Sequence, residues 1–378
     1  MSDLTATTLH WPSVRPEVWG TPAAQHGALD YAELEQLQIK PEAVLDFSVN
    51  SNPFGPSPRV REVLATVPLD RYPDREALAL RRALAERLDT TPERLVVGNG
   101  TSELLWLTAF AFLRSGDRVV IIGPTFGEYA RVAALMGAQL YHWTARPDQN
   151  FAVSETEVGH TLQTTRPKLA FVCNPNNPSG TLIPREVLTN WAVANPETLF
   201  VVDEAYHSFA PGFESMLAAG QENVLVVRSM TKDYALAGLR LGYAAGVPTL
   251  IEALARVRPA WNVNALALAA GLAALEDDQY QQRCLAALGE AKRALTDGLT
   301  ELGWAPLPSA VHFFLMQVGE GAALRRALLQ QGILVRDCAS FGLPGYVRIA
   351  TRRPEENARL LEALRVVAPG GLQARRVG

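Results

Sequence analysis

From Leu95 to Gly246 the chain repeats one pattern: a short apolar run, a polar turn, then an amphipathic stretch of helical period. The runs are Leu95–Val97, Val119–Ile122, Leu169–Cys173, Leu199–Val202, Val224–Val227 and Leu241–Ala245. Runs that are apolar at every position belong to strands covered on both faces, as in a parallel sheet. Parallel strands need crossover connections, and Glu103–Leu113 and Tyr129–Met136 have the period of crossover helices. The pattern predicts an α/β fold, with a three-layer large domain built on a mainly parallel sheet. Beyond Pro259 the character changes. An Ala/Leu-rich stretch, Ala265–Leu302, precedes alternating runs at His312–Val318, Ile333–Arg336 and Tyr346–Ile349, with helices near Ala322–Gln331 and Pro354–Val366. That predicts a smaller α+β domain. The expected division is a Pro-punctuated segment 1–45 packed over the rest, with a helical turn at Tyr31–Leu37, then a large domain 46–260 and a small one 261–378.

Charge and composition narrow the function classes. A formal net charge of −4 with no basic block argues against a nucleic-acid partner. No apolar run approaches the roughly 18 residues of a membrane span, and Met1–Gly20 lacks a basic-then-apolar signal, so a cytoplasmic protein is expected. Cys173, Cys284 and Cys338 are far apart and form no C-x-x-C, which indicates neither a disulfide frame nor a metal site. Among the 35 Lys and Arg residues only Lys40, Lys168, Lys232 and Lys292 are lysine. A lysine kept in so arginine-rich a chain points to chemistry that needs a deprotonatable amine, and the Ser-bearing surroundings of Lys232 single it out.

Three polar motifs directly follow expected strands: Asn174-Pro175-Asn176-Asn177-Pro178-Ser179-Gly180, Asp203-Glu204-Ala205-Tyr206 and Ser229-Met230-Thr231-Lys232. In open α/β sheets ligands bind beyond the carboxyl ends of the strands, so these motifs should meet in one crevice. A fourth, Gly98-Asn99-Gly100-Thr101-Ser102-Glu103, opens a helix whose free N–H groups can hold a phosphate. Taken singly, each has an ordinary structural use: a helix cap for Asp203, a Pro-bounded turn for Asn177, core packing for Tyr206.

Together they resemble the fold-type-I, pyridoxal-phosphate-dependent aminotransferases of class I/II, over nearly the whole chain. The segment Ser229-x-x-Lys232, followed by Ala237-Gly238-Leu239-Arg240-Leu241-Gly242-Tyr243, matches the family's cofactor-lysine motif. The resemblance implies pyridoxal 5'-phosphate as cofactor. Lys232 would form a Schiff base with its aldehyde, and Arg240, Ser229 and the Gly100–Thr101–Ser102 helix start would bind its phosphate. Asp203 would pair with the ring nitrogen, and Tyr206 and Asn177 with its phenolic oxygen. Lys232, Asp203 and Tyr206 are thus the expected catalytic set. Phe126, or Tyr129 in its place, would stack on the ring. Tyr72 resembles a tyrosine that reaches the cofactor phosphate of a neighbouring subunit, implying a homodimer with shared active sites.

Two branches of the family fit, both acting on phosphorylated amino compounds. Asn50-Ser51-Asn52-Pro53-Phe54-Gly55-Pro56 is similar to histidinol-phosphate aminotransferases, although Ser51 stands where that branch often has an acid. More positions resemble the threonine-phosphate decarboxylases of cobalamin biosynthesis: His26-Gly27, Asp46-Phe47-Ser48-x-Asn50, Trp261 to Ala267, and Val335-Arg336-Asp337-Cys338. That pattern continues with a second glycine where this chain has Ala28. The decarboxylase is the reading preferred on these residues, with the aminotransferase as alternative. The substrate contacts implied are His26, Asn50, Asn177, Arg336 and Arg348. Related domains also serve as effector sensors in transcription regulators, behind a winged helix. About 45 residues without a basic recognition helix precede this α/β block, which disfavours that role.

Overall fold

The computed structural model describes residues 13–367. Its strands, in chain order, are β1 (Leu45–Asp46), β2 (Leu95–Gly98), β3 (Arg118–Gly123), β4 (Gln139–Thr144), β5 (Leu169–Cys173), β6 (Leu199–Asp203), β7 (Val224–Ser229), β8 (Gly242–Ala245), β9 (Phe313–Gln317), β10 (Ile333–Leu334), β11 (Arg336–Asp337) and β12 (Tyr346–Ala350). Seven of them form the main sheet in the order β2-β8-β7-β6-β5-β3-β4. Only β8 runs against the others in that sheet, pairing antiparallel with both β2 and β7. Every residue of β5, β6 and β7 is buried, as their apolar runs require, and Asp203, Arg228 and Ser229 at the ends of β6 and β7 are buried with them.

Alternate residues of these strands feed two cores, because successive side chains point to opposite faces. Ile121, Phe171, Val201 and Leu225 pack with the helices Gly100–Phe112, Glu128–Leu135 and Pro248–Val257. Val120, Val172, Phe200 and Val226 pack with Glu155–Thr165 and Arg185–Ala194 on the other side. The result is the expected three-layer α/β arrangement. Ala265–Leu302 divides into two helices, Ala265–Leu275 and Asp278–Glu301. The first shares a core with Val60, Leu80 and Leu84, beside the main sheet, although sequence position groups it with the C-terminal part.

Two expectations about strands are corrected. β4 was not foreseen, since it is an edge strand with Gln139, Tyr141, His142 and Thr144 exposed, and so carries no apolar run. The single run Ile333–Arg336 is two strands in different sheets. β10 pairs parallel with β1, while β11 joins β12 and β9 in an antiparallel sheet. Within the N-terminal segment, Tyr31–Gln36 is a short helix capped by Asp30. Arg325 forms an ion pair with Glu33 of that helix, and Arg15 donates to the carbonyl of Leu135, so the segment spans both parts of the chain. No helix among the described residues is long and apolar enough to cross a membrane.

Candidate active site

Four strands of the main sheet deliver their carboxyl ends to one place. Asp203 is the last residue of β6, in register with Cys173 of β5 and Val227 of β7. Its carboxylate is buried. It accepts a hydrogen bond from the Tyr129 hydroxyl at 2.7 Å and from the Ala205 N–H at 3.0 Å. Burial pushes its pKa up to about 6, against the opposing pull of those donors and of Lys232. Glu204, the next residue, points to the other face of the strand and is fully buried against Arg228 at 2.8 Å, with Ser215 and Met216 N–H as further donors. A carboxylate there is tolerated because all its lone pairs are served.

Lys232 follows β7 through the turn Ser229–Lys232, held by the Ser229 and Thr231 hydroxyls at 2.6 Å from each other. The Asn52 N–H donates to the Lys232 carbonyl, fastening the strand-end turn to the segment 50–56. Burial lowers the Lys232 ammonium to about 8, helped by the positive charges of Arg348 and Arg240 and opposed by Asp203. Arg348, on β12, is buried and donates to the Asn177 side-chain oxygen and to the Ser48 carbonyl. Among the described residues its Nε has no hydrogen-bond partner, and neither does the Oδ1 of buried Asn50. Asn50 Nδ2 lies 3.4 Å from the Tyr206 hydroxyl, whose pKa is raised by burial. Lys232, Asp203, Tyr206, Asn177, Asn50 and Arg348 are therefore linked by contacts or by direct charge effects.

At the start of helix Gly100–Phe112 the first-turn N–H groups, those of Thr101 and Ser102 among them, have no intrahelical partner. Gly100 has φ +80°, and a Cβ there would lie 2.6 Å from Arg240 Nη2, so the guanidinium rests on the helix start. Arg240 itself has φ +60°, a left-handed conformation that costs a non-glycine residue roughly 1–2 kcal/mol. A cation held by backbone strain against the positive end of a helix dipole makes sense with an anion between them. Gly242 is needed in the same cradle, because a Cβ there would lie 3.0 Å from the Thr101 nitrogen.

The N-terminal segment covers this crevice. A Cβ at Gly27 would fall 2.3 Å from the Ser48 carbonyl, so the loop lies directly on residues 46–48. His26 is half-exposed, its ring 5.5 Å from that of Phe126 and its Nε2 3.3 Å from Glu128. Phe126 meets Tyr129 edge-on, whereas Tyr129 is fully buried and stacked on Phe171 at 5.0 Å. Of the two aromatics weighed for stacking on a ligand ring, Tyr129 is thus committed elsewhere, to Phe171 and Asp203. Arg336 lies directly across the β11–β12 ladder from Arg348. Its guanidinium donates to the carbonyls of Gln25 and His26 and to Ser340, which ties down the covering loop. Tyr72 stands apart from this cluster: it is 78% exposed and stacked on Trp261 at 4.5 Å.

Sequence reasoning missed three contributors: the Tyr129 hydroxyl on Asp203, the Ser48 carbonyl on Arg348 and Glu128 behind His26. The only signal for Tyr129 was its place three residues after Phe126, and for Ser48 its place in the motif Asp46-Phe47-Ser48-x-Asn50; the motifs singled out gave no role to Glu128. No group of His, Cys, Asp or Glu among the described residues is arranged to hold a metal.

Comparison with known proteins agrees with this geometry. The family described as aminotransferase class I and II matches residues 42–364. The histidinol-phosphate aminotransferase of Symbiobacterium thermophilum is 38% identical over 344 residues, covering 89% of this chain and 94% of that protein. Among solved structures, the histidinol-phosphate aminotransferase of Sinorhizobium meliloti in complex with pyridoxal-5'-phosphate superposes with a TM-score of 0.84 at 26% identity, covering 94% of this chain and 98% of that one. The L-threonine-O-3-phosphate decarboxylase of Porphyromonas gingivalis gives 0.74 at 28% identity, with 85% and 98% covered.

Proposed function

Because this chain belongs to the class I and II aminotransferases, we propose that it moves the amino group of histidinol phosphate to a keto acid. The observation that carries the anionic substrate is the arginine pair. Arg348 and Arg336 face each other across two strands, where like charges repel, and Arg348 keeps a buried Nε without a hydrogen-bond partner among the described residues. A phosphate supplies the missing counter-charge. Amine transfer, rather than the decarboxylation preferred from the motifs, follows the relatives, which are named for the aminotransferase.

The enzymes of this family work with pyridoxal phosphate, and the residues present fit it: a Gly100–Arg240 cradle that a Cβ would fill, a buried carboxylate and a buried amine. Bound there, the cofactor supplies a conjugated electron sink for the substrate's Cα. Asp203 offers a carboxylate to the ring nitrogen, and the Tyr129 hydroxyl keeps that carboxylate ionised. Lys232, lowered to about 8, is partly neutral near neutral pH, so its Nζ can take a proton from the Cα and return one. Tyr206 and Asn177 orient the cofactor's phenolic oxygen, with Arg348 holding Asn177 in place. Phe126 covers the ring. His26 and Asn50 meet the substrate, and Arg336 acts on it chiefly by fixing the His26 loop. Tyr72, exposed on one protomer, completes the partner's phosphate site in a homodimer.

One observation favours the second reading. Ala28 has φ +123°, a conformation that glycine adopts freely, at the position where the His-Gly-Gly pattern has its second glycine. Incubating the holoenzyme with histidinol phosphate and 2-oxoglutarate, and in parallel with threonine phosphate, separates the two. Glutamate formation from histidinol phosphate but not from histidinol supports amine transfer. Release of CO2 from threonine phosphate without glutamate formation would replace it with decarboxylation.

A further inference from the structure

A cavity of about 770 Å3 lies between the helix Asp278–Glu301, the turn His207–Phe209 and the segment 306–312. That is within the size of small-ligand sites, roughly 300–1,000 Å3. None of Lys232, Asp203, Asn177, Arg240 or Arg348 lines it. Leu285, Leu288 and Lys292 recur at helical spacing along its helical wall, and Phe209 and Pro211 close the apolar side.

Three features give this space a chemistry. First, Gly289 sits in the middle of a 24-residue helix on the cavity wall, and a Cβ there would meet nothing within 4 Å. Glycine inside a helix costs roughly 1 kcal/mol relative to alanine, and no packed neighbour requires it here, so what it leaves is room. Second, Lys292 is half-buried with no acidic partner in an ion pair among the described residues. Its Nζ donates to the Ser309 carbonyl at 2.5 Å, which uses one of three N–H groups. Burial alone lowers its pKa to about 8, the mark of a cation lacking its counter-charge. Third, the remaining charges do not supply one. Arg293 and Asp297 on the rim oppose each other in sign, and wall residue His312, its ring nitrogens buried without partners, is kept neutral by burial.

We propose that this cavity is a second binding site, for an organic carboxylate with an apolar body: the carboxylate pairs with Lys292 and the body fills the space beside Gly289, Leu285, Leu288 and Phe209. The site is separate from the Lys232 crevice, and its occupancy does not depend on which reaction the enzyme performs.

The test uses the holoenzyme and three probes in calorimetric titration: 4-phenylbutyrate, 4-phenylbutanol, which lacks the charge, and acetate, which lacks the body. Phenylbutyrate should bind at least tenfold more tightly than either. Lys292→Met should bring it down to the level of phenylbutanol. Gly289→Leu fills the space with a better helix former, so it should fold, keep turnover and lose both aromatic probes. Equal phenylbutyrate affinity in wild type and Lys292→Met, or unchanged binding in a folded Gly289→Leu variant, would overturn the proposal. So would displacement of the probe by the enzyme's own amino substrate, which would put it in the Lys232 crevice.

Discussion

Replacing Tyr129 by Phe removes one hydroxyl and keeps the ring that stacks on Phe171. What is lost is the 2.7 Å donor to Asp203. A hydrogen bond to a buried charged group stabilises the ionised form by roughly 1.5–3 kcal/mol. At about 1.4 kcal/mol per pKa unit, Asp203 should rise by about one to two units from its present value of about 6. The sign follows directly, since the lost donor favoured the carboxylate and burial now acts with less opposition. If the ionised carboxylate is what holds the ring nitrogen, its population sets cofactor affinity. At pH 7 the ionised fraction falls from about 0.9 to between about 0.5 and 0.1, so Kd for pyridoxal phosphate should weaken about two- to tenfold. The assay is a titration of apo-protein with the cofactor from pH 5.5 to 9, in wild type and Tyr129→Phe. Lys232 and the cofactor phosphate titrate in both, so the ratio of the two Kd values isolates Asp203. That ratio should approach one at pH 9 and grow toward about ten- to a hundredfold below pH 6. A pH-independent ratio would refute the reasoning, because a packing defect lowers affinity equally at every pH.

Arg348→Lys keeps the charge but cannot reach both Asn177 and Ser48 and still present a third donor. Loss of one charge-assisted hydrogen bond should raise KM for the phosphorylated substrate about ten- to a hundredfold, with the cofactor still bound one per chain; a KM within threefold of wild type would place the phosphate elsewhere. For the shared site, mixed dimers of Tyr72→Phe and Lys232→Ala protomers should regain one site with both native residues, and purified heterodimers no more active than either parent would exclude donation of Tyr72 across the interface.

The chemistry was more legible than the packing around it. Asp203 could be placed because it directly follows an apolar run, and Lys232 because it lies five residues after one, and a strand covered on both faces announces itself by a run of apolar residues. β4 has one side in solvent, so its sequence, with Gln139, Tyr141, His142 and Thr144 exposed, resembles a loop. The break in Ile333–Arg336 was invisible because the partners decide it: β1 lies almost 290 positions upstream of β10, whereas β12 follows β11 closely. The same holds within the site. The Tyr129–Asp203 bond spans 74 positions, and the Arg336 contact with the His26 carbonyl spans 310. Arg336 illustrates the consequence. Its spacing and charge pointed to a substrate clamp, but only the fold reveals that its donors are engaged with the loop above the site.

The central claim is that Lys232 is the amine around which this site is built. Two lysines are lowered to about 8, Lys232 and Lys292, so basicity alone does not separate them. Geometry does, because only Lys232 shares its surroundings with Asp203, Arg240 and Arg348. Borohydride reduction of the pyridoxal-phosphate-loaded protein, followed by peptide mass mapping, decides it. The account predicts one reduced adduct per chain, on Lys232, and none on Lys292; an adduct on Lys292, Lys40 or Lys168 with Lys232 unmodified would contradict it.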